Sequence, residues 1–399
     1  MKYFSLSNYN PDTLYIVGAG VTNKQKIENY AAFGSLDWNV TDQLKISGSV
    51  RYTKSRNSAR LCSYTPPNGN PNKFFNVLGS IFGTVPFDPI GESDCFTLND
   101  NFVPGQPFQE TLSEDNVSWR LGADYQATST TLVYANVSRG YKAGSFPTLS
   151  AATYRSLRPV TQESVTAYEA GIKTTFADRL IGLNAAAFYY DYKDKQVRGK
   201  IIDTPNVFGV LDALVNVPKS RVLGAEAEIT IRPTTGLVIG LSGTYLDSKI
   251  TNYSGDYSFT GQPVDFSGSP LPFTSKWSGA VNIDYRHELP SGGTPFIGVS
   301  VNARSSSDAA LGGRTIAYPA SPATVVKPGV TYPFAIDGYA TVDARLGYEA
   351  RDGAWKVMLW GKNIFNEYYW TAVSPGSDSA SRLAGRPATY GITFGFEFQ

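Results

Sequence analysis

Tyr339-Ala340-Thr341-Val342-Asp343-Ala344-Arg345-Leu346-Gly347-Tyr348-Glu349-Ala350 alternates without a break. Successive side chains of a β-strand point to opposite faces. Ala340, Val342, Ala344, Leu346, Tyr348 and Ala350 therefore share one surface, and Tyr339, Thr341, Asp343, Arg345, Gly347 and Glu349 share the other. Ala225 to Arg232 repeats the arrangement, with Ala225, Ala227, Ile229 and Ile231 opposed to Glu226, Glu228, Thr230 and Arg232. Each segment has one apolar face and one face dense in charge. A soluble sandwich would show the same alternation, so strand length has to separate the two cases.

Crossing a bilayer at a tilt takes roughly 9 to 11 residues, whereas soluble strands usually run about 5 to 6. Leu44 to Lys54, Val117 to Tyr125, Tyr168 to Phe176, Leu183 to Asp191, Leu237 to Asp247 and Thr389 to Phe398 all have the longer span. Short turns fall at Asn39 to Asp42, Ala127 to Ser129, Ala177 to Arg179, Pro233 to Gly236, Leu289 to Gly293 and Arg351 to Gly353, rich in residues that accept tight-turn geometry. They take turns with long connections near Ser58 to Asp115, Tyr141 to Thr161, Lys200 to Pro218, Thr251 to Thr274, Ser307 to Ile336 and Ile364 to Gly385. That rhythm predicts an all-β chain, an antiparallel up-and-down transmembrane β-barrel with short turns in the periplasm and long loops outside the cell. The chain then ends on the periplasmic side.

Aromatics make up 13% of residues and gather toward strand ends, as in Phe188, Tyr189, Tyr190 and Tyr192 or Tyr368, Tyr369 and Trp370, where interfacial girdles would use them. No apolar run reaches the roughly 18 residues of a transmembrane helix. A mean hydropathy of -0.21 suits a barrel with a polar lumen. Net charge is +1 with no dominant basic stripe, which gives no reason to invoke nucleic acid.

About thirteen strands follow Gln25, with Tyr3 to Val17 as a candidate fourteenth. An odd count leaves two open edges, and the hydrocarbon does not tolerate unpaired backbone groups. Residues 1–24 show no basic start, apolar core and small-residue cleavage site. The expectation is an N-terminal segment over 1–24 and, over 25–399, the C-terminal part of a larger barrel, without signal peptide or plug domain.

Four strings carry a family resemblance: Val137-Ser138-Arg139-Gly140-Tyr141-Lys142-Ala143-Gly144-Ser145-Phe146; Tyr168-Glu169-Ala170-Gly171-Ile172-Lys173-Thr174-Thr175-Phe176 with Asn184 to Tyr192; Gly361-Lys362-Asn363-Ile364-Phe365-Asn366-Glu367-Tyr368-Tyr369; and Gly385 to Phe398. In this order they resemble the TonB-dependent outer-membrane receptors of sphingomonad-like and related proteobacteria. The resemblance implies a plugged barrel of about 22 strands. It also implies uptake of a scarce solute, most often an iron–siderophore complex, driven by TonB through a plug domain absent from this chain. Thr389, Gly391, Phe394 and Phe396, with Phe398, resemble the family's signal to the barrel-assembly machinery. Gln399 departs from the usual aromatic terminus, which implies weaker assembly.

Cys62 and Cys95 lie in the first long loop, and two cysteines of an exported chain most simply pair as a structural staple. No ligand set for a metal and no cofactor motif stands beside them. The single histidine, His287, precedes a periplasmic turn, and no serine has a histidine partner at the outer rim, so the chain is not expected to be an enzyme. Ligand contacts are expected from Arg139, Tyr141 and Lys142 at the rim and from Phe146, Tyr253, Tyr257, Phe259 and Trp370, where cations would hold an anionic chelate and rings would stack. Outer-membrane lipid is the other expected partner. Two further readings are a passive porin of about fourteen strands, needing Tyr3 to Val17 as a strand, and a non-functional truncated receptor.

Overall fold

The computed structural model describes residues 18–203, 205–256, 263–313, 334–375 and 380–397. Its strands, in chain order, are β1 (Gly20–Asn39), β2 (Leu44–Tyr64), β3 (Phe108–Thr128), β4 (Thr131–Lys142), β5 (Glu163–Phe176), β6 (Ile181–Ile202), β7 (Val210–Thr234) and β8 (Leu237–Asn252). There follow β9 (Ser254–Asp256), β10 (Pro263–Asp265), β11 (Trp277–Arg286), β12 (Thr294–Arg304), β13 (Ser307–Asp308), β14 (Ala335–Ile336) and β15 (Tyr339–Glu349). The last are β16 (Trp355–Lys362), β17 (Trp370–Pro375), β18 (Ala380–Ala384) and β19 (Thr389–Phe396). A 13-stranded antiparallel sheet takes β1 to β8, β11, β12, β15, β16 and β19 in that order, and β9–β10, β13–β14 and β17–β18 are separate two-stranded ribbons in the long connections. With thirteen strands alternating in direction, the edge strands β1 and β19 run the same way.

β1 starts at Gly20, so residues 20–24 belong to the sheet rather than to a separate N-terminal segment. Tyr3 to Val17 lies outside the described residues.

Register defines the two faces. Trp38, Leu36, Ala32 and Tyr30 of β1 share a face with Ile46, Val50 and Tyr52 of β2 and with Ala123, Leu121, Trp119 and Val117 of β3. The same face carries Leu346 and Leu359, and on β19 it carries Tyr390, Ile392, Phe394 and Phe396, all more than half exposed. A row of exposed large apolar side chains is stable only against lipid, so this face points outward. The inward face carries Arg51, Arg120, Glu169, Glu226, Glu228, Asp284, Asp343 and Arg345.

The expected short turns are present. Ala177, Asp178 and Arg179 all take positive φ. Gly236 has φ +83°, and a Cβ there would lie 1.9 Å from the Arg286 carbonyl oxygen, so the β7–β8 turn requires glycine.

Two of the long connections are shorter than the sequence reading set them, because the strands on either side continue beyond membrane length. β6 runs to Ile202 and β7 begins at Val210, which makes most of the expected Lys200 to Pro218 loop a hairpin. β2 and β3 likewise extend to Tyr64 and from Phe108, leaving 65–107 as the connection. That connection contains α1 (Pro71–Phe82), which opens on Pro71 in its first turn and ends at Gly83, whose N–H donates to the Gly79 carbonyl at 2.9 Å. Phe75 and Leu78 of α1 pack with Ile90, Phe96 and Leu98, and Phe208 from the β6–β7 tip stacks on Phe75 at 5.8 Å. Beside it, Ala59 and Leu61 of β2 and Phe108 of β3 are covered by Phe146, Ala151 and Leu157. Apolar cores thus lie in the extracellular loops, while the membrane-height wall is one layer thick.

Candidate functional site

The extended β6–β7 hairpin and the tips of the loops after β8, β12 and β16 enclose a cavity of about 370 Å³. Its apolar lining comes from Val197, Phe266, Leu271, Leu311 and Val373. Three cations, Lys195, Arg198 and Lys200, face two carboxylates, Asp212 and Asp256. Lys200 is buried and its ammonium pairs with Asp212 at 2.9 Å, while the Arg198 guanidinium shares the same carboxylate at 3.3 Å. Arg198 also donates to the Ser374 hydroxyl at 3.3 Å, which ties the β6 arm to the β17 ribbon. Lys195 is held by Glu163 at 3.2 Å and lies 3.9 Å from the Tyr192 ring centroid. Asp256 accepts the Ile202 N–H at 2.9 Å. With Glu163 counted, three carboxylates balance the three cations, and the exposed Arg198 guanidinium, which only shares its carboxylate, is the cation open to an anionic solute over the apolar floor.

The expected ligand residues divide into groups. Tyr253 stacks on the cavity residue Phe266 at 5.3 Å, and burial, followed by the charge of Asp256, pushes its phenol above its ordinary pKa. Trp370 packs against the cluster that includes Val373 and lies beneath the Arg382 guanidinium at 5.3 Å. Both support the cavity wall without lining it. Lys142 sits on the inward row of β4, whereas Arg139 and Tyr141 continue the outward row of Val133, Ala135 and Val137, with the Arg139 guanidinium 5.4 Å from the Tyr141 ring. Phe146 is only 3% exposed in the loop core, which makes it a packing residue rather than a stacking surface for a ligand. Tyr257 and Phe259 lie outside the described residues. The sequence reading missed Lys195, Arg198, Lys200 and Asp212, although Val197-Arg198-Gly199-Lys200-Ile201 continues the alternation that defines β6.

Cys62 and Cys95 are joined in a disulfide that ties the top of β2 to the connection before β3. On β19, Thr389 and Gly391 face inward and Phe394 and Phe396 outward, while Phe398 lies outside the described residues. His287 is exposed beside the Leu289–Gly293 turn. Among the described residues no helix is long and apolar enough to cross a membrane.

The chain matches the family described as "TonB dependent receptor-like, beta-barrel" over residues 2–364. It belongs to that family. Members of that family are outer-membrane β-barrel proteins rather than enzymes, and this chain is an outer-membrane β-barrel polypeptide of that family. A pesticin receptor of Yersinia enterocolitica is 24% identical over 407 residues, covering 98% of this chain and 47% of that protein, and the Yersinia pestis pesticin receptor gives the same figures. Among solved structures, the ferric yersiniabactin uptake receptor FyuA from Yersinia pestis superposes with a TM-score of 0.68 at 20% identity, covering 96% of this chain and 48% of that one. The siderophore receptor PiuA from Acinetobacter baumannii gives 0.64 at 15% identity, covering 95% and 44%. At these identities the structural likeness shows the fold. The chain spans about half the length of the curated relatives it matches.

Proposed function

We propose that this chain forms the ligand-facing wall of a receptor that imports an iron–siderophore complex, energised by TonB through a plug domain outside these residues. The observation that carries the reading is the extracellular cavity, where the exposed Arg198 guanidinium stands above an apolar floor and shares its carboxylate, Asp212, with Lys200. A ferric chelate built from carboxylates or phenolates presents anionic edges for such cations and ring faces for such a floor. Relatives named for ferric yersiniabactin uptake and for siderophore reception support this substrate class.

The test is accumulation of radioactive iron supplied as different ferric chelates to iron-starved cells of the source strain, with the gene intact, disrupted and restored. Disruption should abolish accumulation of one chelate class, and a protonophore should do the same in the intact strain. Accumulation that survives the protonophore, or that extends to unrelated small solutes, would overturn the reading in favour of passive diffusion.

A further inference from the structure

Above the sheet, β6 and β7 lose their outer neighbours. The pairing of β5 with β6 ends at Ser164 and Lys193, and that of β7 with β8 ends at Lys219 and Asn252. From Lys195 and Val217 to Ile202 and Val210 the two strands pair only with each other among the described residues. A two-stranded ribbon without further support is marginally stable. This ribbon nonetheless carries Arg198, Lys200 and Asp212 to the cavity, with Lys200 and Asp212 directly opposite each other in its register. Its base is held by Glu163, which accepts the Gln196 N–H at 2.9 Å and pairs with Lys195, so the placement of the outer half rests on contacts at the tip.

Two other connections supply those contacts. Phe208 stacks on Phe75 of α1 at 5.8 Å and meets Phe74 edge-on at 6.4 Å. Arg155, from the β4–β5 connection, donates to the Ile202 carbonyl at 2.6 Å and lies 3.7 Å from the Asp203 carboxylate, which also accepts the Thr153 hydroxyl. The two connections are themselves joined, because the Leu98 N–H donates to the Ala152 carbonyl at 2.8 Å and the Tyr154 N–H to the Leu98 carbonyl at 2.9 Å. The Ile202 N–H goes to Asp256, a cavity residue, so this one residue is tied both to the cavity and to the loop cores beyond it. Neither Phe208 nor Arg155 lines the cavity.

We propose that Phe208 and Arg155 are positioning residues for the anion-binding end of the cavity. They fix the ribbon from which Arg198 meets the chelate and keep Lys200 buried against Asp212. The inference rests on the uptake reading for its ligand and on the ribbon alone for its geometry. Lys200 and Arg198 lie two and four residues below Ile202, about 7 and 13 Å along the strand. A tip released from α1 would therefore move both cations relative to Phe266, Leu271 and Val373, which belong to other loops.

The receptor in native outer membranes of the source strain is treated with a membrane-impermeant amine-acetylating reagent, and modification of Lys200 is followed by mass spectrometry. Lys200 should react slowly in wild type. F208A should raise its rate on the order of tenfold, R155Q should raise it in the same direction, and F208Y, which keeps the ring, should stay near wild type. R158Q, which removes only the exposed pair with Asp100, should also behave as wild type. Unchanged reactivity in F208A and R155Q would overturn the proposal, and so would an equal rise in R158Q, since the loops would then be loosened without regard to the tip. Binding of iron(III) catecholate and iron(III) citrate complexes to the purified receptor is measured alongside. F208A should weaken binding on the order of threefold or more, and R198Q/F208A should bind no more weakly than R198Q, because Phe208 acts through the cation. Additive losses would overturn the proposal. If wild type binds neither complex, the uptake reading fails, and the Lys200 rates alone decide whether the tip holds the ribbon.

Discussion

Arg345 on β15 reaches across β12 to the Asp284 carboxylate on β11, passing over Gly298. A Cβ at Gly298 would lie 2.6 Å from both the Arg345 Nε and the nearer Asp284 oxygen, so the contact exists because the strand between carries no side chain. Both partners are about half exposed, and an exposed pair of this kind contributes about 0–1 kcal/mol. Crowding it with a branched side chain costs more, on the order of 1–3 kcal/mol. Arg345→Gln should therefore leave the temperature at which the folded band converts on gel electrophoresis nearly unchanged, and Gly298→Val should lower it clearly. The reverse order would show that the ion pair, not the clearance above Gly298, sets local stability.

The Cys62–Cys95 bridge closes a separation of 33 residues. In the chain-entropy account a loop of that size gains about 3–4 kcal/mol from its cross-link. The bridge anchors the connection that contains α1, while the sheet below is held by its own ladders. Replacing both cysteines with serine should make the 65–107 connection susceptible to protease added to intact cells, with the barrel still heat-modifiable. Loss of the folded band itself would mean that the bridge is needed to form the sheet.

Tyr154 sits where the β4–β5 connection covers Phe108, and its hydroxyl donates to the Gln106 carbonyl at 2.9 Å. Burial, with a smaller contribution from Asp100, pushes its phenol up to about 12 from an ordinary value of 10. A raised folded pKa favours the folded loops in full below pH 10, and that contribution is lost as pH rises through about 12. Protease resistance of the 65–107 connection should accordingly fall between these values in wild type. Tyr154→Phe should remove that part of the alkaline sensitivity. An identical alkaline profile for the variant would assign the effect to other groups.

β15 was legible because Tyr339 to Glu349 alternates for its whole length and is bounded by turn residues, and the same holds for β19. Strand ends were harder to read. Above the membrane, β2, β6 and β7 no longer need an apolar outward row, so Lys54, Arg56 and Arg60 or Arg198 and Lys200 look like loop composition although they continue a ladder. α1 was missed for a related reason: its apolar residues pack on Phe96 and Phe208, whose approach is set by tertiary contacts rather than by local spacing. Arg139 and Tyr141 were recognised by their string, but strand parity, which a string does not reveal at a rim, sends them outward. The cavity itself is assembled from β6, β7 and three separate loops, and no short stretch of sequence contains it.

Arg198 and Lys200 share Asp212 but differ in burial, and that difference separates binding from stability. The Lys200 side chain is 4% exposed and that of Arg198 is 56% exposed. Removing Asp212 with Asp212→Asn would leave a buried ammonium without its partner, a change that costs several kcal/mol and should loosen the β6–β7 hairpin. Arg198→Gln removes an accessible cation and spares the buried pair, so stability should hold. If the cavity takes an anionic chelate, Arg198→Gln should weaken binding by roughly tenfold to a hundredfold, the range for a lost charge-assisted hydrogen bond. Fluorescence quenching of the purified receptor by ferric chelates would measure it. An unchanged affinity together with an unchanged melting profile would place the ligand elsewhere on the loops, and the inward-facing Lys142 would then be the next cation to replace.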